Sequence, residues 1–208
     1  MDILSQIFQW TSSGIMSFMQ SQGYLAILIL MTLEGSSLPV PSEIIIPAAG
    51  YLSAQGTLNP LLAFAMVLIG SIIGLGIDYG VGYFIGKDVV YKHLQFFRIK
   101  KETLDNFDAW FARNGTFAVF VTRFIPEIRA LMSFPAGFAK MPLRKFFAWS
   151  IFGNIIWDGA LFMFGYYVLN VNNAVLVLAA VGAFAIVLYL LYVYFMKKVG
   201  RGNGKAYA

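Results

Sequence analysis

Two arginines lie close together in a stretch of sequence that is otherwise apolar. Arg123 and Arg129 are six residues apart on either side of Pro126, between the apolar residues 116–121 and 130–134. Arginine at the centre of a membrane costs roughly 2.5 to 3.5 kcal/mol, so it generally faces a cavity, a partner or a ligand. The guanidinium is planar, permanently charged and carries several N–H donors, which together suit a phosphate group. The pair therefore predicts a phosphate site, although the sequence leaves open internal pairing with Glu34, Glu43 or Glu127.

Two glutamates lie in a second polar interruption of the apolar sequence. Glu34 and Glu43 are nine residues apart across Pro39 and Pro41, a spacing that no helical face explains. The protonation of a carboxylate in a cavity of low dielectric constant depends on whether a nearby arginine is occupied. These acids are therefore candidates for proton coupling or gating. The alternative is that they only hold the broken segments together or cap a half-helix.

The remaining polar residues give weaker signals. Asp78 and Asp158 are single acids within long apolar stretches, and each is more typical of a polar contact between helices than of a binding site. Asp78 stays a weak candidate for a proton path, and Glu127, Trp157 and Asp158 are equally weak site candidates. The only histidine, His93, lies in a basic stretch and is predicted to be a surface residue. Without cysteine there is no thiolate ligand or nucleophile, and no metal or cofactor is predicted.

Composition indicates that these residues belong to a membrane protein. Hydrophobic residues make up 59% of the 208 and charged residues only 12%, and the mean hydropathy is +0.73. Long apolar stretches predict spanning helices at 60–86, 143–169 and 174–196, preceded by an N-terminal helix at 15–33 that lacks the features of a cleaved signal peptide. The predicted fold class is an all-α integral membrane protein.

Prolines and glycines interrupt the chain in two places, 34–55 and 115–139. The interrupting residues are Pro39, Pro41, Pro126, Pro135 and Gly137. Proline breaks a straight helix, and an exposed loop would leave backbone groups without hydrogen-bond partners in lipid. A re-entrant hairpin that is buried in protein avoids both problems. The alternative is an ordinary loop at the membrane surface.

The distribution of basic residues favours the hairpins. Three segments carry 13 of the 15 Lys and Arg residues: 87–113, 140–145 and the tail 197–208. If only the long helices cross, all three lie on one side, which the positive-inside rule makes the cytoplasm. The excess of basic charge then reports topology and contact with an anionic lipid surface and not a nucleic acid partner. Segment 87–113 is predicted to be an amphipathic helix on that surface or, equally well, a cytoplasmic helical hairpin.

The two long helices at the middle of the chain resemble each other. Gly70, Gly76 and Gly82 precede Gly153, Gly159 and Gly165 by a constant 83 residues. Together with the broken segments, this predicts an inverted repeat of two units, each a hairpin plus a transmembrane helix, with additional N- and C-terminal helices. Shared membrane composition is the alternative explanation.

The polar motifs together resemble those of the DedA family. The likeness is carried by Glu34, Pro39, Pro41 and Glu43, then by residues 120–129, which contain Arg-Phe-Ile-Pro-Glu-Ile-Arg, and by Pro135-Ala-Gly137 and Gly153-Asn-Ile-Ile-Trp157. It runs from about residue 24 to residue 170. Family members often have Gly-Asp directly before the Tyr and Gly of the first long helix, whereas Gly76-Ile-Asp78 displaces the acid by one position. The role of Asp78 is therefore open.

This resemblance implies a function. DedA proteins are similar to eukaryotic lipid scramblases, and the family transports anionic lipid carriers, notably undecaprenyl phosphate or a related polyprenyl phosphate, with phosphatidylethanolamine for some members. Arg123 and Arg129 match the family's essential arginine pair, and Glu34 and Glu43 match its acidic hairpin residues.

We therefore expect a transporter in the cytoplasmic membrane that moves a lipid monophosphate, coupled to protons or membrane potential. Three alternatives compete with it: a non-selective phospholipid scramblase, a proton-coupled small-ion antiporter, and a membrane lipid phosphatase. A phosphatase usually needs a histidine, a serine and histidine pair or a metal cluster, and the single His93 lies far from the arginines in sequence, so no enzyme activity is predicted. The sequence is compatible with a homo-oligomer but does not fix the oligomeric state.

Overall fold

The computed structural model describes residues 3–38, 40–86, 109, 111, 113–125, 129 and 131–168, which belong to one compact unit, Met1–Asn170. Every regular element in these residues is helical, which confirms the all-α prediction for this part of the chain. The predicted helix 174–196, the tail 197–208 and most of segment 87–113, with His93, lie outside the described residues.

The N-terminal part of the described chain forms two helices, α1 (Ile3–Gln22) and α2 (Tyr24–Gly35). They are separated by Gly23, whose φ of 57° and ψ of −124° are accessible to glycine but strained for other residues. The single helix predicted over 15–33 is therefore wrong in two respects, since helical structure begins earlier and is interrupted at Gly23. Apolar composition continues through this glycine, so hydropathy alone does not reveal the break.

A non-helical connector leads from α2 into α3 (Ser42–Ala54). Pro41 is the N-cap of α3, which suits a residue whose nitrogen cannot donate a hydrogen bond. Pro47 lies inside the helix and leaves the carbonyl of Glu43 without its helical donor. The range 34–55 therefore contains the end of one helix, a connector and a second helix.

Among the described residues, two helices are long and apolar enough to cross a membrane. The first is α4 (Pro60–Ile85), whose N-cap Asn59 accepts hydrogen bonds from the amides of Leu61 and Leu62. The second comprises α7 (Leu143–Met163) and a π-helical end, Phe164–Val168. Each stretch has 26 residues, or about 39 Å of helix, which exceeds the hydrocarbon thickness of about 30 Å. Both expose large apolar side chains: Leu61, Leu62, Ile69, Ile73, Ile77, Phe84, Trp149, Phe152, Ile155, Ile156 and Met163.

Two short helices precede α7. They are α5 (Thr116–Thr122) and α6 (Ser133–Phe138). Between them, residues 123–125 form turns and a bend, residue 129 is helical, and 126–128 and 130 lie outside the described residues. Like 34–55, the range 115–139 thus contains helical residues on both sides of non-helical ones, here 123–125.

Helix α2 packs closely on α4 through small residues. A Cβ added to Gly74 would lie 2.6 Å from the Cα of Gly35, and one added to Gly70 would lie 2.8 Å from the carbonyl oxygen of Leu28. Backbones approach this closely only where side chains are absent, as is common between membrane helices. The contact fixes the C-terminal end of α2 against the middle of α4.

Helix α4 also packs against α6. A Cβ added to Gly82 would lie 2.6 Å from the carbonyl oxygen of Phe134, and one added to Gly137 would lie 2.8 Å from the amide nitrogen of Tyr83. The same helix is joined to the start of α7 by the Tyr79 hydroxyl, which donates to the carbonyl of Met141 at 2.5 Å.

Helix α3 packs against α7 and its π-helical end in the same manner. A Cβ added to Gly165 would lie 2.6 Å from the Cα of Pro47, and one added to Gly50 would lie 2.9 Å from the amide nitrogen of Tyr166. Each of the two long helices therefore receives a short helix from the other half of the chain.

Candidate functional site

Arg123 lies directly after α5 and is buried. Its side chain, 1% exposed, donates from Nη1 to the carbonyl oxygen of Arg129 at 2.6 Å and from Nη2 to the hydroxyl of Ser150 at 2.9 Å. The guanidinium carbon lies 5.8 Å from the ring centroid of Phe146, within the range of a cation–π interaction. Gly153 leaves room for this arginine, because a Cβ there would lie 2.9 Å from the Cβ of Arg123.

Arg129 is surrounded by acceptors from three helices. Its Nε donates to Oε1 of Glu34 at 3.0 Å, and its Nη2 contacts the same oxygen and the hydroxyl of Ser42. Its Nη1 lies 3.4 Å from Oδ1 of Asp158. Ion pairing with two buried carboxylates compensates the charge of Arg129 within the protein.

Asp158 connects this arginine to both long helices. It belongs to α7, is 1% exposed, and its Oδ2 lies 3.5 Å from the hydroxyl of Ser71 on α4. The sequence predicts Asp158 only as a weak candidate, whereas the structure brings it into direct contact with one of the two predicted arginines.

Local sequence explains how the acceptors reach Arg129. Glu34 is the penultimate residue of α2 and is placed beside α4 by the close contact of Gly35 with Gly74. Ser42 begins α3 immediately after the N-cap Pro41. Ser150 and Asp158 are eight residues apart on α7 and therefore lie on nearly the same helical face.

A small cavity of about 10 Å³ lies within this group of residues, and its size corresponds to about one water molecule. It is lined by Glu34, Gly35, Ser71, Leu75, Arg123, Arg129 and Asn154. A phosphate group needs more room than this, so the described conformation is a closed one.

Glu43 and Asp78 occupy other positions. The side chain of Glu43 is exposed in the first turn of α3, and neither ion pair of the described residues involves it. Asp78 is buried on α4 and accepts a hydrogen bond from Ser37, a residue of the connector with a positive φ of 57°. The structure thus joins Glu34, but not Glu43, to the arginines by an ion pair.

Some of the remaining predicted residues lie in the described part of the structure and others do not. Pro135 and Gly137 were predicted to break the chain, but both lie within α6. Pro135 is its third residue, where the first turn needs no amide donor, and Gly137 allows close packing on α4. Trp157 is buried and its ring packs edge-on against Phe124 at 6.4 Å. Three other predicted residues lie outside the described part: Pro39, Pro126 and Glu127.

The family is shown by comparison with known proteins. The VTT domain, which defines the DedA family, matches residues 40–167. The chain belongs to the DedA family. This DedA protein is 37% identical to undecaprenyl phosphate transporter A of Staphylococcus aureus over 73% of its own length and 76% of the relative's. It is 33% identical to the protein of the same name from Bacillus subtilis, over 70% and 72% of the two lengths.

Another relative has a different name. An "alkaline phosphatase-like protein" of Lactococcus lactis is 32% identical to this DedA protein over 73% of each chain. No solved structure matches this DedA protein. The apolar helices and the family together support a membrane location.

The site of this DedA protein can hold an anion only by rearranging. Arg123 and Arg129 supply two fixed positive charges, and Glu34 and Asp158 occupy Arg129. Arginine donors suit a phosphate oxygen as well as a carboxylate oxygen. The arrangement is therefore chemically able to exchange one anion for another.

Sequence reasoning missed four neutral polar residues of the site. They are Ser42, Ser71, Ser150 and Asn154. A signal for two of them is present, because Ser150, Asn154 and Asp158 recur every fourth residue and form a polar stripe on an otherwise apolar helix. Ser42 and Ser71 carry no comparable pattern.

Proposed function

We propose that this protein is a transporter that moves a polyprenyl monophosphate, such as undecaprenyl phosphate, across the cytoplasmic membrane. The observation that carries the proposal is the pair of buried arginines, Arg123 and Arg129, which contact Ser150 and Asp158 of the long apolar helix α7. The names of the two relatives supply the substrate class. Two arginines match the charge of a phosphomonoester, about −1.5 to −2, and the prenyl chain would remain in lipid.

The proposed transport cycle exchanges anions at Arg129. In the closed conformation Glu34 and Asp158 hold this arginine, and the lipid phosphate takes their place when the site opens. Because charged groups in a dry site need a partner, the arginine passes from one anion to the next without remaining unpaired. This exchange returns the protein to its closed form after the lipid leaves.

The balance of buried charges supports proton coupling. Among the described residues, the buried acids Glu34, Asp78 and Asp158 outnumber the two buried arginines by one. An unbalanced buried charge is costly, so we infer that one acid carries a proton in the closed state. Each charge moved across the membrane corresponds to about 2.3 kcal/mol per 100 mV of membrane potential.

The proposed architecture is an inverted repeat. The contact of Gly82 with Phe134 and that of Gly165 with Pro47 occupy equivalent positions, since the glycines are 83 residues apart and their partners 87. This reciprocity supports two equivalent units that each place a short helix on the other's long helix. In the proposed topology the ranges 34–55 and 115–139 are re-entrant hairpins from opposite faces, and the basic loops and C-terminus are cytoplasmic.

Reconstitution tests the proposal. Purified protein in liposomes should move a fluorescent polyprenyl phosphate between leaflets, and Arg123→Ala or Arg129→Ala should abolish the movement. Normal rates in both variants would contradict the phosphate site. Equal rates for phosphatidylethanolamine and phosphatidylcholine would indicate a non-selective scramblase instead.

The same preparation tests for hydrolysis. One relative is named as phosphatase-like, so inorganic phosphate should be measured alongside transport. We expect none above the background of empty liposomes. Release of inorganic phosphate from the lipid by pure protein would make the protein an enzyme and replace this proposal.

A further inference from the structure

The two arginines differ in how their charge is balanced. Arg129 contacts carboxylates of Glu34 and Asp158, whereas among the described residues Arg123 forms no ion pair. The partners of Arg123 are a backbone carbonyl, the hydroxyl of Ser150 and the face of an aromatic ring. Of the two buried arginines, Arg123 is therefore the one without a carboxylate in direct contact among the described residues.

Arg123 also has a donor without an acceptor. Its Nε is buried and makes no hydrogen bond, while both of its terminal nitrogens do. Leaving a buried donor unpaired costs about 1–3 kcal/mol, and more when the group is charged. An acceptor that comes from outside would remove this cost.

Asn154 adds further hydrogen-bond donors at the cavity that Arg123 lines. Its side chain is 6% exposed and lines the cavity with Arg123. No hydrogen bond among the described residues uses its amide. The amide NH₂ and the guanidinium Nε–H are both donors, and a phosphate oxygen is an acceptor that can receive several of them.

We propose that Arg123 and Asn154 form a receiving half-site that binds the lipid phosphate first, while Arg129 is still held by its acids. Arg129 joins the phosphate afterwards, when Glu34 and Asp158 release it. This order rests on the proposed function, because it assigns successive roles to the two arginines of that site.

Binding to Arg123 first differs in its consequences from simultaneous binding to both arginines. Asp158 competes with the phosphate only at Arg129. Removing its charge leaves Arg129 paired with Glu34 alone and stabilises the later complex, in which Arg129 joins a phosphate that Arg123 has already received. Dissociation should then become slower, while the association rate constant, which the first contact at Arg123 determines, should stay nearly the same.

A double-variant experiment on the full-length protein tests this order. The association and dissociation rate constants of farnesyl phosphate, a short prenyl monophosphate, are measured by rapid mixing with protein in nanodiscs of zwitterionic lipid. We expect Arg123→Gln to slow association roughly tenfold or more, Asn154→Leu to slow it severalfold, and Asp158→Asn to slow dissociation severalfold with association nearly unchanged. The double variant Arg123→Gln with Asp158→Asn should associate as slowly as Arg123→Gln alone.

The controls address folding and general charge. Arg144→Gln removes an exposed arginine from the start of α7 and should leave the affinity unchanged. Arg123→Lys keeps the charge and loses the Nε–H donor, so it should also weaken binding. It replaces Arg123→Gln in the test if Arg123→Gln does not fold. Elution from a sizing column and melting temperature identify the variants that are folded.

Two outcomes would overturn the order in different ways. If Asp158→Asn restored the normal association rate to Arg123→Gln, Arg129 would be the first contact, and the proposed function would stand without this order. If the unmodified protein did not bind farnesyl phosphate at all, the proposed function would fail and this inference with it.

Discussion

Arg129 joins three helices through its side chain. Its acceptors come from the end of α2, the start of α3 and the middle of α7. Since all of these contacts are buried, removal of the guanidinium would leave Glu34 and Asp158 without a cation. A single residue thus contributes to stability in the closed state and, in the proposed cycle, to lipid binding.

Substitution of this residue should reduce stability as well as transport. We expect Arg129→Gln to lower the free energy of unfolding by about 3–5 kcal/mol, which is typical when one partner of a buried ion pair is removed. Thermal unfolding in detergent, compared with Arg144→Gln, measures this loss.

The two effects can be separated by neutralising the acids. Adding Glu34→Gln and Asp158→Asn to Arg129→Gln removes the unpaired charges, so most of the lost stability should return while lipid transport stays absent. Recovery of transport in this triple variant would show that Arg129 is needed only for folding.

The charged residues of the site are more predictable from sequence than their neutral partners. Arg123, Arg129 and Glu34 stand out because charge is expensive among apolar residues. The contact between Arg129 and Asp158 spans 29 residues, and only the packing of α7 determines it. Serine is common in apolar helices, so Ser71 could not be distinguished from a structural residue before the fold was known.

At the scale of helices, the contact between α2 and α4 determines where Glu34 lies. Gly74→Ala tests it, because the new Cβ would overlap the backbone of Thr32 and Gly35, which cannot move as a side chain can. We expect a lower melting temperature and loss of transport, since the shift of α2 would withdraw Glu34 from Arg129.

Gly80→Ala is the matched control on the same helix. A Cβ at Gly80 has no atom within 4 Å, and alanine favours the helix by roughly 0.5–1 kcal/mol relative to glycine. The melting temperature should therefore stay the same or rise. Equal losses in both variants would mean that α2 and α4 are not in close contact.

Sequence predicted the long helices better than the breaks between helices. Residues 60–85 and 143–168 form apolar helices because every turn offers an apolar surface and a complete set of backbone hydrogen bonds. Breaks depend on single backbone angles: Gly23 interrupts an apolar stretch, while Pro135 lies in a helix because its position in the first turn requires no donor. Composition does not distinguish these cases.

At the scale of the whole molecule, each half of the described chain contributes a short helix to the other. Gly50 on α3 and Gly137 on α6 are the points of close contact with the two long helices. If the halves are equivalent, Gly50→Leu and Gly137→Leu should each reduce melting temperature and transport by similar amounts. Gly80→Leu provides the control, and a loss confined to one variant would contradict equivalence.

The proposed topology is tested by cysteine labelling, for which the cysteine-free natural sequence is a ready background. Three exposed positions serve: Thr57 before α4, Arg113 before α5 and Lys145 in α7. If 115–139 is a re-entrant hairpin, Arg113→Cys and Lys145→Cys lie on the cytoplasmic side, and Thr57→Cys lies on the opposite side. A membrane-impermeant maleimide should then label only Thr57→Cys in intact cells and all three after permeabilisation. Labelling of Lys145→Cys but not Arg113→Cys in intact cells would mean that 115–139 crosses the membrane, which would exclude the inverted repeat in the form proposed.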